Sequence, residues 1–83
     1  MKCETDKGWG GFYPQLIGSG VLYIADKSIA RYLGLEYKEY VNFITENNGF
    51  LDDDTCFFKT REECQKFIEE FIEPRIVMQE LIK

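Results

Sequence analysis

Residues 60–73 read TREECQKFIEEFIE and hold the clearest structural pattern in the chain. Thr60 followed by Glu63 is a capping box, in which the threonine side chain accepts from the N–H three residues on and the glutamate reaches back to the N–H of Thr60. Apolar residues then recur at helical spacing and form one continuous stripe: Cys64, Phe67, Ile68, Phe71 and Ile72. The pattern predicts an amphipathic helix that begins after Thr60 and packs this stripe on the rest of the protein.

After this helix the chain continues with Pro74 and an apolar tail. Proline disfavours helical geometry in the residue before it, so we expect the helix to kink or end at Glu73. The tail over residues 75–83 is too apolar to remain in solvent, and it predicts a further short helix through Ile76, Val77, Met78, Leu81 and Ile82.

A first β-hairpin is predicted near the start of the chain. Residues 12–17 and 21–24 are rich in aromatic and β-branched side chains. The glycines of residues 18–20 supply the positive φ angles that a tight turn requires. Because Pro14 has no N–H, we expect its strand to lie at an edge of a sheet.

A second hairpin is predicted from residues 50–51 and 55–59, with Asp52–Asp54 as its turn. The fold class is therefore α+β, in one small domain over residues 1–83. Two β-hairpins, or one small sheet, pack on a helical pair and the C-terminal amphipathic helix. Residues 1–10 are expected to form a flexible N-terminus.

Two helices are predicted between the hairpins. Asp26 and Ser28 are both candidate N-caps for a helix over about residues 27–33. Gly34 suits the left-handed residue that ends it. From Glu36 the apolar spacing predicts a second helix through Tyr37, Tyr40, Val41 and Ile44.

Residues 28–43, SIARYLGLEYKEYVNF, resemble a helix-turn-helix. The resemblance rests on Ala30, which is small where two helices cross, on Gly34 in the turn, and on apolar residues at the core positions Leu33, Leu35, Tyr40 and Phe43. The resemblance implies that the second helix reads the major groove of DNA. The contacts would then come from Lys27, Arg31, Lys38 and Asn42.

The charge of the chain favours protein contact over DNA contact. The formal net charge is −5, and the excess acid lies beyond residue 41, where ten acidic residues meet five basic ones. Proteins that bind phosphates usually cluster lysine and arginine. The turn at Asp52–Asp54 would repel a DNA backbone. We therefore expect the helical pair to serve packing or protein contact, with a DNA-binding transcriptional regulator as the alternative.

No constellation for catalysis or metal binding is found in the sequence. Histidine is absent, and Cys3, Cys56 and Cys64 lack the CxxC spacing of zinc sites. We expect free buried thiols in a reducing cytoplasm, no cofactor, no metal and no enzymatic activity. The apolar runs are too short to cross a membrane.

Aromatic residues make up 16% of the chain and include Trp9, which is framed by glycines. These side chains either fill a dense core or in part meet a partner chain, as in a homodimer. In composition the chain resembles small acidic accessory proteins of phages and mobile elements, including inhibitors that present carboxylates in place of phosphates. The predicted function is a small acidic protein-binding module that uses Trp9, Asp52, Asp53, Asp54, Glu62, Glu69, Glu70 and Glu73.

Overall fold

A computed structural model of the chain describes residues 1–82 and shows an α+β fold. Five strands form one antiparallel sheet. The α+β class, both hairpins, the helical pair and the C-terminal helix are confirmed. In chain order the elements are β1 (Lys2–Lys7), β2 (Phe12–Gly18), β3 (Val21–Tyr23), α1 (Asp26–Tyr32), α2 (Tyr37–Glu46), β4 (Gly49–Asp52), β5 (Thr55–Phe58), α3 (Arg61–Phe67), a π-helical turn (Ile68–Ile72) and α4 (Glu73–Ile82).

The structure places residues 2–7 in a strand, where the sequence analysis expects a flexible N-terminus over residues 1–10. This strand, β1, pairs with β2 along its whole length and forms one edge of the sheet. Cys3 is buried and Thr5 is half-buried, while the residues that alternate with them are exposed: Lys2, Glu4 and Asp6. Charged side chains along an edge strand discourage pairing with a further chain.

Pro14 lies in the interior strand β2, so its predicted place at an edge is wrong. The sheet order is β1-β2-β5-β4, and β3 also pairs with β2. On the side away from β1, β2 is paired with β5 at Phe12 and Phe58 and with β3 from Leu16 onward. Pro14 falls between these two contacts, where the ladder has a gap. A residue that cannot donate a hydrogen bond is tolerated in such a gap.

Helices α1 and α2 are joined by a tight turn at Gly34. Its φ angle of 76° confirms the predicted left-handed residue at the end of α1. The N–H of Gly34 donates to the carbonyl of Arg31, and the N–H of Leu35 donates to the carbonyl of Ala30 at 2.9 Å. Since these bonds satisfy the last carbonyls of α1, α2 starts in a fixed direction.

The C-terminal helix continues from α3 through the π-helical turn into α4. Thr60 caps it, because its hydroxyl accepts from the N–H of Glu63 at 3.1 Å. The return bond of the predicted capping box differs, since the Glu63 carboxylate accepts from the Thr60 hydroxyl at 3.1 Å and not from the Thr60 N–H. The helix does not end at Glu73, although an end there is one of the two outcomes expected. The N–H of Glu73 donates to the carbonyl of Ile68, five residues back, so the turn before Pro74 is wider than an α-helical turn. This wider turn lets the proline ring follow without ending the helix.

The main core lies between the sheet and the helices. α3 packs on β1, β2 and β5, and the hydroxyl of Thr5 donates to Oε1 of Gln65 at 3.0 Å. Phe57 is buried outside this core, because its neighbours Cys56 and Phe58 face the helices and successive strand residues face opposite sides. The core consists of Cys3, Leu16, Ile29, Ala30, Leu33, Tyr40, Ile44, Cys56, Phe58, Cys64, Phe67, Ile68, Ile72 and Ile76.

The buried hydroxyl of Tyr40 yields a first prediction. Across residues 1–82 this hydroxyl finds no hydrogen-bond partner, and a buried unsatisfied polar group costs about 1–3 kcal/mol. We expect Tyr40→Phe to raise the free energy of unfolding by about 1 kcal/mol in urea denaturation followed by circular dichroism. Tyr23→Phe, at a half-buried site, is the control and should leave stability unchanged. A Tyr40→Phe variant that is less stable than the wild type would contradict the prediction.

Candidate functional site

The glycine-rich loop between β1 and β2 packs tightly on one aromatic ring. A Cβ atom on Gly10 would lie 2.5 Å from a ring carbon of Phe57, so only glycine allows this approach. The N–H of Gly8 donates to the carbonyl of Gly11 at 2.7 Å and closes the loop. The glycines predicted to form turns thus also bring the loop against the sheet face that the helices leave uncovered.

Trp9 projects from this loop and remains largely in solvent. Its side chain is 70% exposed, and its ring meets the ring of Phe57 edge to face with centroids 4.9 Å apart. Tyr13 approaches the same phenylalanine in a similar geometry at 6.3 Å. Phe57 therefore supports a small set of aromatic rings, of which Trp9 is the outermost.

A cleft of about 540 Å³ opens beside Trp9. Its volume lies within the range of small-ligand and side-chain binding pockets. The walls come from the glycine loop, β2, the start of α1, the start of α2 and the β4–β5 hairpin. The lining residues are Gly8, Trp9, Tyr13, Ile24, Ala25, Asp26, Lys27, Tyr37, Asp54, Thr55 and Phe57.

Asp26 is a buried carboxylate in the wall of the cleft. It is 7% exposed, and its Oδ2 accepts from the N–H of Cys56 at 2.8 Å. The predicted N-caps Asp26 and Ser28 are wrong, since α1 begins after Ala25 with no side-chain cap and the Asp26 carboxylate is turned towards β5 instead. Burial raises the pKa of the Asp26 carboxyl above its ordinary value, although the bond from Cys56 opposes this shift.

Charged and polar groups surround the aromatic walls. The ammonium of Lys27 lies over the ring of Tyr37, 5.4 Å from its centroid. The hydroxyl of Tyr37 donates to the backbone carbonyl of Asp54 at 3.2 Å. At the rim, the hydroxyl of Tyr13 donates to Oδ2 of Asp6 at 3.2 Å. The cleft thus combines flat apolar surfaces with acidic residues and one exposed ammonium.

The structure brings only part of the predicted protein-binding set together. Trp9 and Asp54 line the cleft, and Asp52 and Asp53 belong to the same hairpin. The predicted glutamates are exposed on the C-terminal helix and do not line the cleft: Glu62, Glu69, Glu70 and Glu73. The sequence analysis missed Tyr13, Asp26, Tyr37 and Phe57 as site residues.

The residues of the DNA-binding alternative lie on the helical pair. Lys27 and Arg31 are exposed on α1, and Lys38 and Asn42 are exposed on α2. Each pair is four residues apart and shares one helical face. Acidic Glu39 is exposed on α2 as well, so the charge on this helix stays mixed.

The end of α4 presents an apolar stripe to solvent. Its members are between 56% and 80% exposed: Val77, Met78, Leu81 and Ile82. The predicted homodimer would use such a surface, and it stays a prediction.

The three cysteines are free and buried. Burial is the main cause that raises the pKa of Cys3 and Cys56 to about 12 and that of Cys64 to about 11. The thiolate is the nucleophilic form, so these thiols are unreactive near neutral pH. In the described part of the chain, no group of three or more histidine, cysteine or acidic residues is arranged to hold a metal ion.

These raised thiol pKa values yield a second prediction. We expect native protein at about pH 8 to react slowly with Ellman's reagent, because the folded thiols stay protonated. In protein unfolded in guanidinium, all three cysteines should react with the reagent at once, as measured by absorbance. The contribution of the thiols to stability should be constant below their ordinary pKa of 9.0 and should be lost as the pH rises towards 11 and 12. A thiol that reacts promptly in the native protein would contradict this assignment.

None of the helices over residues 1–82 combines the length and apolar character needed to cross a lipid bilayer. In comparisons with known proteins, no protein family, no curated protein sequence and no solved structure matches the chain.

Proposed function

We propose that the protein is a non-enzymatic protein-binding module whose cleft beside Trp9 holds a side chain of its partner. The observation that carries the proposal is the exposure of Trp9. Among the aromatic side chains of residues 1–82 it is the one classed as exposed, while the others are buried or half-buried. Tryptophan is costly to leave in water and is enriched among the residues that contribute most to protein interfaces.

The support beneath Trp9 favours binding over a passive surface position. The edge-to-face contact with Phe57 and the close packing of Gly10 hold the loop in one place. A ring that is already positioned loses little conformational entropy when a partner covers it. The adjoining cleft provides room for a side chain of the partner to pack against Trp9.

The cellular setting remains part of the proposal. Three free cysteines favour a reducing cytoplasm, where disulfides are rare. An acidic accessory or inhibitor protein of a phage or mobile element would act there by occupying a functional surface of a host protein.

The third prediction tests Trp9 as the anchor. Immobilised wild-type protein is used to select peptides from a random library, with Trp9→Ala protein as the counter-selection. We expect the wild type to enrich sequences that bind at least about tenfold more weakly to Trp9→Ala, as is typical of an interface anchor. Because Trp9 is 70% exposed, this variant should remain folded, which circular dichroism checks.

Leu22→Ala is the matched control, since Leu22 is 57% exposed on β3 and does not line the cleft. It should bind the selected peptides as the wild type does. If none of the enriched peptides depends on Trp9 for binding, the proposed function is wrong.

A DNA-binding regulator is the second candidate, and the exposed cations on the tightly joined pair α1 and α2 favour it. The fourth prediction separates the two. An acidic module should pass through heparin resin at low salt, since its net charge is −5. Retention that modest salt releases, and that Lys38→Glu abolishes, would favour the regulator instead.

A further inference from the structure

We propose that the cleft receives an arginine side chain of the partner protein, held between the aromatic rings and the carboxylates of Asp26 and Asp54. This inference rests on the proposed function and specifies the chemistry of the partner. Three observations carry it: the charge of the lining, the aromatic walls and the position of Lys27.

The lining has more acid than base. It includes two acidic residues, Asp26 and Asp54, and one basic residue, Lys27. Within residues 1–82 the ion pairs closer than 4.0 Å lie elsewhere, between the N-terminus and Glu80 and between Lys2 and Glu4. The carboxylates of the cleft therefore have no counter-ion in contact, and a cation from a partner would be complementary to them.

Asp26 has hydrogen-bonding capacity to spare. Its carboxylate accepts from the N–H of Cys56 and from the Cys56 thiol, whereas a carboxylate has about four acceptor positions. Because the group is only 7% exposed, water satisfies little of the remainder. A donor that enters the cleft would meet a desolvated acceptor, where charge-assisted hydrogen bonds are strong.

The aromatic walls suit a cation as well. The face of an aromatic ring attracts positive charge, and the ammonium of Lys27 already lies over Tyr37 at 5.4 Å. Lys27 is exposed, and among residues 1–82 it has no carboxylate within ion-pairing distance. Lys27 is therefore a cation of the protein itself that a more strongly held cation of the partner can displace from the cleft.

Arginine fits this combination better than lysine or trimethyllysine. Guanidinium is flat, is weakly hydrated and carries five N–H donors, so it can stack on a ring and donate to separate carboxylates at once. Lysine has a compact, strongly hydrated head. Trimethyllysine has no donors to offer Asp26.

The fifth prediction uses the single tryptophan of the chain as the reporter, because Trp9 lines the cleft. Its fluorescence is followed while Ac-Gly-Ser-Arg-Ser-Gly-amide is added at constant ionic strength. The matched probe carries citrulline, which has nearly the shape of arginine without its charge. We expect saturable binding of the arginine peptide and about tenfold weaker binding of the citrulline peptide.

Three variants assign the effect to the cleft. Asp26→Asn keeps an oxygen for the N–H of Cys56 but removes the charge, and it should weaken the arginine peptide by about fivefold to tenfold. Lys27→Met should tighten it by about twofold to fivefold, because the competing cation is removed. Glu46→Gln, at the exposed end of α2 and outside the cleft lining, is the control and should change nothing. If Asp26→Asn does not fold, Asp54→Asn replaces it, since asparagine tolerates the φ of 65° found there.

Equal binding of the arginine and citrulline peptides would overturn the inference, as would tighter binding of a trimethyllysine peptide. So would an unchanged affinity in a folded Asp26→Asn or Asp54→Asn variant. A failure of the arginine inference can be distinguished from a failure of the proposed function. Library peptides that depend on Trp9 but lack basic residues would support the binding module and contradict the arginine assignment. A library with no Trp9-dependent peptides removes the module itself.

Discussion

The hydrogen bond from the N–H of Cys56 to Oδ2 of Asp26, at 2.8 Å between residues 30 apart, fixes the relation of the helical pair to the sheet. The register of β2 with β5 is at Phe12 and Phe58, and at Cys56, which is paired with Leu51 of β4, the acceptor for the buried N–H is a side chain. This hydrogen bond also sets the start of α1 against β5, which brings Lys27 and Tyr37 to the cleft. A buried carboxylate without a counter-ion lowers stability at neutral pH, because its pKa is raised by folding and its ionised form is disfavoured. Such a cost is common at functional sites.

The sequence determined the local elements well and the sheet incompletely. Thr60 and the stripe after it act within one helix, so capping and periodicity were sufficient to predict them. The strand β1 was missed because residues 2–7 are mostly charged, and their alternation becomes evident only once β2 lies beside them. The end of the helix that was considered before Pro74 does not occur, for a related reason. The helix continues because burial of Ile72 and Ile76 against the core stabilises the wider turn before it.

The candidate site was predicted in part. Trp9 and Asp54 could be singled out from local sequence, one by its flanking glycines and the other by its turn. Asp26, Tyr37 and Phe57 could not be joined to them, since they come from three elements that meet only in the folded chain. The glutamates of the C-terminal helix were grouped with the aspartates by sign of charge alone. Charge counts give no positions, and the structure places the glutamates on the C-terminal helix and the aspartates in the β4–β5 hairpin.

The contact between Thr5 and Gln65 joins segments 60 residues apart, and it closes the core between β1 and α3. A ribosome would therefore release the first strand well before the helix that covers it. During that interval Cys3 and the inner side of β2 lack their cover and are open to chaperones. Folding in the cell should accordingly follow, rather than accompany, translation of the helix that starts at Thr60, and contacts of such long range favour slow closure.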